Sequence, residues 1–487
     1  MKFSISNVNK YTFILLYALV FVFIGYKVFH IPITHDEVAT TVFYSKFNAW
    51  EIMLFPDPWP NNHILNTLLT KGFLFLFGSE QWVVRMPNLL SFILYGFAAY
   101  RILKNVLTKE SSFFIAGALL FIANPYLLDF FGLSRGYGMS AALCTLSVSY
   151  LISGFKGAIN KHIWWAFVLS ILASYANFTL LVFWAATTLL VAFYFLSTYR
   201  DKKTSLLKPW LILLAVCLGY LALIASPVYK MQSTNQFEFW TSSGFVADTL
   251  LPLVKLSLYD SKVFMAFNLI AGIVIGILVV NSLFVLITFK RAKFKINTLS
   301  QPLFVATSVI LLTAGINMLQ CWILDTPNLY GRTALFFYPL FIVALISSHE
   351  MFTSLKARKI KVGFSILLIL VCVFQLLKTI KLDSVKEWRY DADTFKVLDY
   401  LEENRGDRNV TLETNWQFHP SFLFYEQTDK VPWLELKAYS KSVVPETDAE
   451  YYYIFEEDFP ALESEFEPVA KFENHWLLKR KPEQVLW

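Results

Sequence analysis

Two adjacent carboxylates, Asp36 and Glu37, follow closely on the first long apolar run of this 487-residue chain. An ionisable side chain at a membrane boundary loses hydration unless it is paired or solvated, so it marks a functional position by default. A carboxylate placed there can take a proton from an attacking hydroxyl. The pair also has a plain reading: Glu37 in a first helical turn suits the helix macrodipole, and outer loops carry acids for solubility. A further acid, Asp129, shares one turn with Arg135, and Arg332 lies in Tyr330-Gly331-Arg332-Thr333. Both arginines stand at the mouth of an apolar run. A guanidinium there can grip a phosphate through paired charged hydrogen bonds; it can also snorkel toward headgroups, and Arg135 can pair with Asp129 instead. His63 has no second His or Cys nearby, which argues for a polar or substrate contact rather than a metal ligand. Arg85, before Met86-Pro87, reads as an interfacial anchor. Glycine-rich phosphate loops, GxSxG, HExxH and nucleic-acid modules are all missing from the sequence.

The elements that must position these groups are membrane spans. The composition is 56% apolar and only 16% charged, against about 45–50% and 25% for soluble domains. That excludes a disordered chain and a simple cytosolic enzyme. The four cysteines, Cys144, Cys217, Cys321 and Cys372, lie inside apolar runs and read as helix-packing residues, which excludes a disulfide scaffold. A bilayer core of about 30 Å needs roughly 20 apolar residues per helix. Runs of that kind lie near 11–29, 86–103, 112–128, 137–154, 163–177, 179–197, 209–228, 264–288, 302–324, 334–348 and 362–380. The pair meeting at Ser174–Asn177 is short. The fold expected is therefore mainly α, a polytopic membrane protein of about eleven transmembrane helices over 1–380.

With a cytoplasmic N-terminus, 19 Lys and Arg fall in short cytoplasmic loops and only three acids join them, as the positive-inside rule asks. Eleven crossings then place the tail, 381–487, outside. That tail holds 23 of the 36 acids and 13 of the 42 bases, which marks it as a water-exposed domain. A helix over Thr394–Glu403 and strands over Val410–Thr414, Tyr451–Phe455 and Trp476–Lys479 predict a small α/β or α+β fold. It would cap the outer face or bind an acceptor. The N-terminal run lacks a small-residue cleavage site and reads as an uncleaved first span. The first outer loop, 30–85, carries two apolar segments, 37–54 and 61–77, that predict helices along the membrane surface.

Taken in order, these pieces resemble the GT-C glycosyltransferases, nearest the group of protein O-mannosyltransferases and the bacterial lipid A aminoarabinose transferase. Thr34-His35-Asp36-Glu37 resembles the family's acidic motif after the first span. Asn61-Asn62-His63-Ile64-Leu65 stands where the family has a His-Pro motif, here without the Pro, and makes Asn62 and His63 substrate-contact candidates. Val84-Arg85-Met86-Pro87-Asn88 is similar to its Arg-x-Pro-Ser, and the turn ending Arg135-Gly136-Tyr137 to its Arg-x-Tyr. Tyr330-Gly331-Arg332 opens a late span with Pro339, as in many members. The resemblance is best over the first 200 residues and nearly absent in the tail. It implies a polyprenyl-phosphate-linked sugar as donor, a glycolipid, glycan or protein acceptor, and inversion at the anomeric carbon. Asp36 would be the base, with Glu37 or Asp129 orienting the acceptor or raising its pKa. Arg135, Arg332 and Tyr137 would hold the donor phosphate. No feature demands a metal or another cofactor, and the lipid bilayer, not nucleic acid, is the expected surroundings. Short loops and the lack of a targeting extension favour a bacterial inner membrane with a periplasmic C-terminal domain. A transporter of lipid-linked glycan, or a polymerase using a lipid-diphosphate donor, stays open at this point.

Overall fold

The computed structural model describes residues 5–107, 113–199, 207–234, 243–259, 264–291, 302–352, 358–473 and 475–482. Several expected loop bases (Lys109, Arg200, Lys202, Lys203, Lys293, Lys295 and Lys356) and residues 235–242 of an outer loop lie outside them. The protein is polytopic and mainly helical. Among the described residues, nine helices are long and apolar enough to cross a membrane, from Asn7–His30 to Lys359–Thr379. A tenth crossing results if Phe113–Ile122 and Pro125–Phe131, bent by 62°, form one span.

Two of the eleven expected runs fall short of that length, for local reasons. Asn124 caps a new helix by accepting from the Leu127 N–H, and Pro125 occupies its first turn, so the 112–128 run breaks. The 163–177 run forms only the 17-residue helix Asn160–Ala176, about 25 Å long at 1.5 Å per residue. It stops at Asn177, whose side chain caps the following turn at Thr179.

The centre of the bundle is the Gly136–Gly157 helix, 89% buried over its span. Its Gly, Ala and Ser residues let the Gln81–Val106 and Asn160–Ala176 helices approach closely. Phe267–Thr288 and Lys359–Thr379 are only 11% buried, and their exposed Leu269, Ile273, Phe374 and Leu377 suit contact with lipid.

In the first outer loop, 37–54 is not one helix. It folds as four short pieces: α-helix His35–Val38, π-helix Ala39–Phe43, 3-10 turn Tyr44–Lys46 and α-helix Ala49–Met53. The β-branched run Thr40-Thr41-Val42 resists regular α winding, and Thr41 Oγ1 bonds back to the Glu37 carbonyl at 3.1 Å. The second segment does form a helix, Ile64–Phe77.

The C-terminal region is an α/β unit around a mixed sheet of β1 (Val410–Thr414), β2 (Leu434–Leu436), β3 (Tyr451–Phe455), β4 (Phe466–Phe472) and β5 (His475–Arg480), in the order β2-β1-β3-β5-β4. β1 runs parallel to β2 and β3; β5 is antiparallel to β3 and β4. Helices Thr394–Arg405 and His419–Gln427 pack with it. Its core is continuous with the first outer loop: Ile33, Val38, Val42 and Val84 cluster with Val397, Leu401, Phe422 and Leu477. The sheet domain therefore clamps directly onto the segment that carries Asp36.

Candidate active site

The turn at Thr34–Val38 is built by Glu37, not by Asp36. Glu37 Oε2 accepts from the Thr34 N–H and hydroxyl, both at 3.0 Å. The same carboxylate takes a fork from Arg85, with Nε to Oε1 at 2.9 Å and a terminal nitrogen to Oε2 at 2.7 Å. It also accepts from the Ser134 N–H at 2.6 Å. Arg85 spends its remaining donors on the Val28, Ile31 and Pro32 carbonyls. Both side chains are fully buried. Arg85 is thus a core residue and not an interfacial anchor, because a carboxylate 48 positions away neutralises it out of sight of hydropathy. Since Glu37 neighbours Asp36 and Ser134 neighbours Arg135, this one ion pair sets the positions of both.

Arg135 is buried at the N-terminus of the Gly136–Gly157 helix. It donates to the Asp36 carbonyl at 3.0 Å and to Asn61 at its carbonyl (3.3 Å) and side-chain oxygen (3.2 Å). Gly136 permits this: a Cβ there would stand 1.9 Å from the Ala176 carbonyl oxygen and 2.9 Å from His63. Arg332, in the turn Gly331–Ala334 that opens a late span, keeps 29% of its side chain exposed. The two guanidiniums converge on one atom, Asp36 Oδ2, at 3.2 Å from Arg135 and 3.1 Å from Arg332.

These contacts are close but poorly aligned. Asp36 Oδ2, Arg135 Nε and His63 Nε2 are all buried without a hydrogen bond. Buried polar atoms gathered in this way are where a water or a substrate group finds hydrogen-bond partners. Burial pushes the Asp36 carboxyl up, but Arg135, Arg332 and His35 together outweigh it and hold it below its ordinary value. The expected raising of its pKa by a second carboxylate is therefore replaced by the opposite shift, since Glu37 faces Arg85. His63 packs edge-on to Tyr137, with ring centroids 4.8 Å apart. Burial, then Arg135 and Arg332, push its pKa well below the usual range, so it is neutral. The Tyr137 ring centre lies 6.0 Å from the Arg135 guanidinium and 5.8 Å from that of Arg332.

Two expected members stand elsewhere. Asp129 pairs with Lys27, accepts from the Tyr259 hydroxyl at 2.8 Å and from the Lys386 N–H at 3.0 Å. It makes no ion pair with Arg135. Asn62 has both ends occupied, donating to the Ile52 carbonyl and accepting from Thr67; its neighbour Asn61 meets Arg135.

The sequence reading missed the C-terminal contribution. Glu387 lies 3.5 Å from Arg332 and accepts from the Tyr126 hydroxyl. Trp388 covers Arg332 at 5.1 Å from its ring centre. Asp391 accepts from the His35 N–H at 2.8 Å. No local motif announces these residues; only the docking of the tail onto the outer loop brings them in. Among the described residues, no group of three His, Cys, Asp or Glu side chains converges as a metal site. Chemically, the arrangement offers one ionised carboxylate whose two guanidinium partners can be claimed by an incoming anion.

No family model and no curated protein matches the chain. Among solved structures, the chain is similar to ArnT from Cupriavidus metallidurans, both in the apo state and bound to undecaprenyl phosphate. Each comparison has 13% identity, covers 97% of this chain and 98% of that one, and has a TM-score of 0.42.

Proposed function

We propose that the protein is a GT-C-like membrane glycosyltransferase that moves a sugar from a polyprenyl-phosphate donor to an acceptor hydroxyl on the extracytoplasmic face. The observation that carries this reading is the meeting of Arg135 and Arg332, from distant parts of the chain, on Asp36 at the mouths of the spans. The donor phosphodiester bears one negative charge. On entering, it competes with Asp36 for the two guanidiniums and releases the carboxylate as a base. The acceptor oxygen attacks the anomeric carbon from the face opposite the phosphate, which inverts that centre. Its proton passes to Asp36. The carbon–oxygen bond to phosphate breaks with its electron pair left on oxygen, giving a lipid phosphate monoester with one more negative charge. Arg135 and Arg332 are fixed cations where that charge develops. Glu37 holds the geometry through Arg85, and Asp129 anchors the tail through Lys386.

The acceptor is a glycolipid, glycan or protein hydroxyl. The positive-inside bias supports a cytoplasmic N-terminus and an outward C-terminal domain, as in a bacterial inner membrane, with domain limits at 1–380 and 381–487. The test is donor choice by the purified protein in lipid nanodiscs. Transfer from a polyprenyl-monophosphate sugar is expected. Transfer only from a lipid-diphosphate glycan, or translocation of either lipid without transfer, would refute the reading.

A further inference from the structure

One buried serine hydroxyl has more acceptors than protons. Ser421 Oγ lies 2.9 Å from the Ile33 carbonyl oxygen and 2.8 Å from Asp391 Oδ1, and both side chains are buried. A hydroxyl carries a single proton. It cannot give a full hydrogen bond to a carbonyl and to an ionised carboxylate together. Both contacts are satisfied when Asp391 Oδ1 carries a proton and donates to Ser421, which in turn donates to Ile33. Asp391 Oδ2 remains free to accept the His35 N–H at 2.8 Å. The Ile33 N–H goes to the Tyr425 hydroxyl at 2.8 Å, and that hydroxyl donates to Gln81 at 2.8 Å. Side chains of the C-terminal region therefore hold the backbone on both sides of Thr34.

We infer that Asp391, in its neutral carboxylic-acid form, and Ser421 are positioning residues that grip the Ile33–His35 backbone and aim Asp36 between its two arginines. This rests on the proposed role of Asp36 as base. The surroundings agree. Facing Asp391 are Asp36, Glu37 and His35 from the outer loop, Arg85 from the second span, Tyr425 and Tyr453 from the sheet domain, and Tyr390 beside it. Burial first, then Glu37 and Asp36, push its carboxyl well above the ordinary value. Arg85, Arg135 and Arg332 already balance Glu37, Asp36 and Glu387, so an ionised Asp391 would add a fourth carboxylate to three cations.

The full-length protein in nanodiscs tests this with Asp391→Asn, Asp391→Ala and Ser421→Ala. Asparagine reproduces the bonding of the neutral acid, since its carbonyl accepts from His35 and its amide donates to Ser421. Asp391→Asn should keep kcat within about threefold, whereas Asp391→Ala and Ser421→Ala should lower it roughly tenfold or more with donor KM unchanged. The infrared spectrum at neutral pH should show a protonated-carboxyl C=O stretch that Asp391→Asn removes. Loss of activity in Asp391→Asn equal to that in Asp391→Ala, or a carboxylate signal in place of the acid band, would overturn the inference. The infrared measurement needs no turnover. Wild-type protein that shows the band yet transfers no sugar would sink the role of Asp36 while sustaining the neutral Asp391.

Discussion

Arg332→Gln removes one of the two guanidiniums on Asp36 while sparing the buried framework. Arg332 is the accessible member of the pair, 29% exposed against 1% for Arg135. Two unit charges about 4 Å apart interact by about 4 kcal/mol at an effective dielectric of ~20. Arg135 remains, and solvent reaches the vacated place, so the net loss is closer to that of one charged hydrogen bond, about 1.5–3 kcal/mol. That corresponds to roughly 10- to 150-fold in kcat/KM. Most of it should fall on kcat, because the second phosphate charge develops only as the bond breaks. The substitution also acts on Asp36. Its carboxyl is held below the ordinary value by Arg135, Arg332 and His35 against burial. Removing Arg332 leaves burial less opposed, so the carboxyl pKa rises. Protonation silences a base, so the acidic limb of kcat/KM for the free enzyme must move to higher pH. Steady-state rates against pH, with lipid-linked donor in nanodiscs, measure both effects. An unchanged kcat/KM together with an unmoved acidic limb would refute the convergence of Arg332 on Asp36 as the basis of activity.

Glu37→Gln should act on folding, because it strands the fully buried Arg85. Breaking one partner of a buried pair costs about 3–5 kcal/mol, so a large drop in melting temperature is expected, and a wild-type melting temperature would contradict the framework role. Gly136→Ala should also destabilise, by about 1–3 kcal/mol or more, since the new methyl meets the Ala176 carbonyl oxygen at 1.9 Å; a stable, active variant would show that the helix start can shift freely. His63 is held neutral, first by burial and then by Arg135 and Arg332. A His whose folded pKa is depressed loses stability as pH falls below its unfolded value near 6.5. Denaturant melts at pH 7 and pH 5 should show that loss, and His63→Gln should lessen it.

Hydropathy made the spans legible because each apolar run must bury its own backbone groups within the bilayer. Caps interrupt two of the runs, at Asn124-Pro125 and at Asn177, and shorten their helices. Asp36, Arg135 and Arg332 were visible because each stands charged at the rim of an apolar run. Arg85 was misread for the converse reason: its partner Glu37 lies in another element, and pairing across 48 residues leaves no local trace. The bond from Lys27 to Asp129 was hidden in the same way, across 102 residues. In the tail, short runs of β-branched, aromatic and aliphatic residues marked β1, β3 and β5. The edge strand β4 carries Pro468, a register shift and exposed Glu467, Pro468 and Lys471, so it gives no strand signal. Glu387, Trp388 and Asp391 belong to the site only through docking of the sheet domain on Ile33, Val38, Val42 and Val84, an event with no periodicity to read.

The most direct test is Asp36→Asn assayed with a polyprenyl-monophosphate sugar. The amide keeps the shape of the side chain, cannot take the acceptor proton and no longer competes for Arg135 and Arg332. Turnover should fall by roughly 10²–10⁴-fold, in protein that still melts cooperatively, while donor KM stays the same or decreases. Wild-type turnover by folded Asp36→Asn would contradict the account.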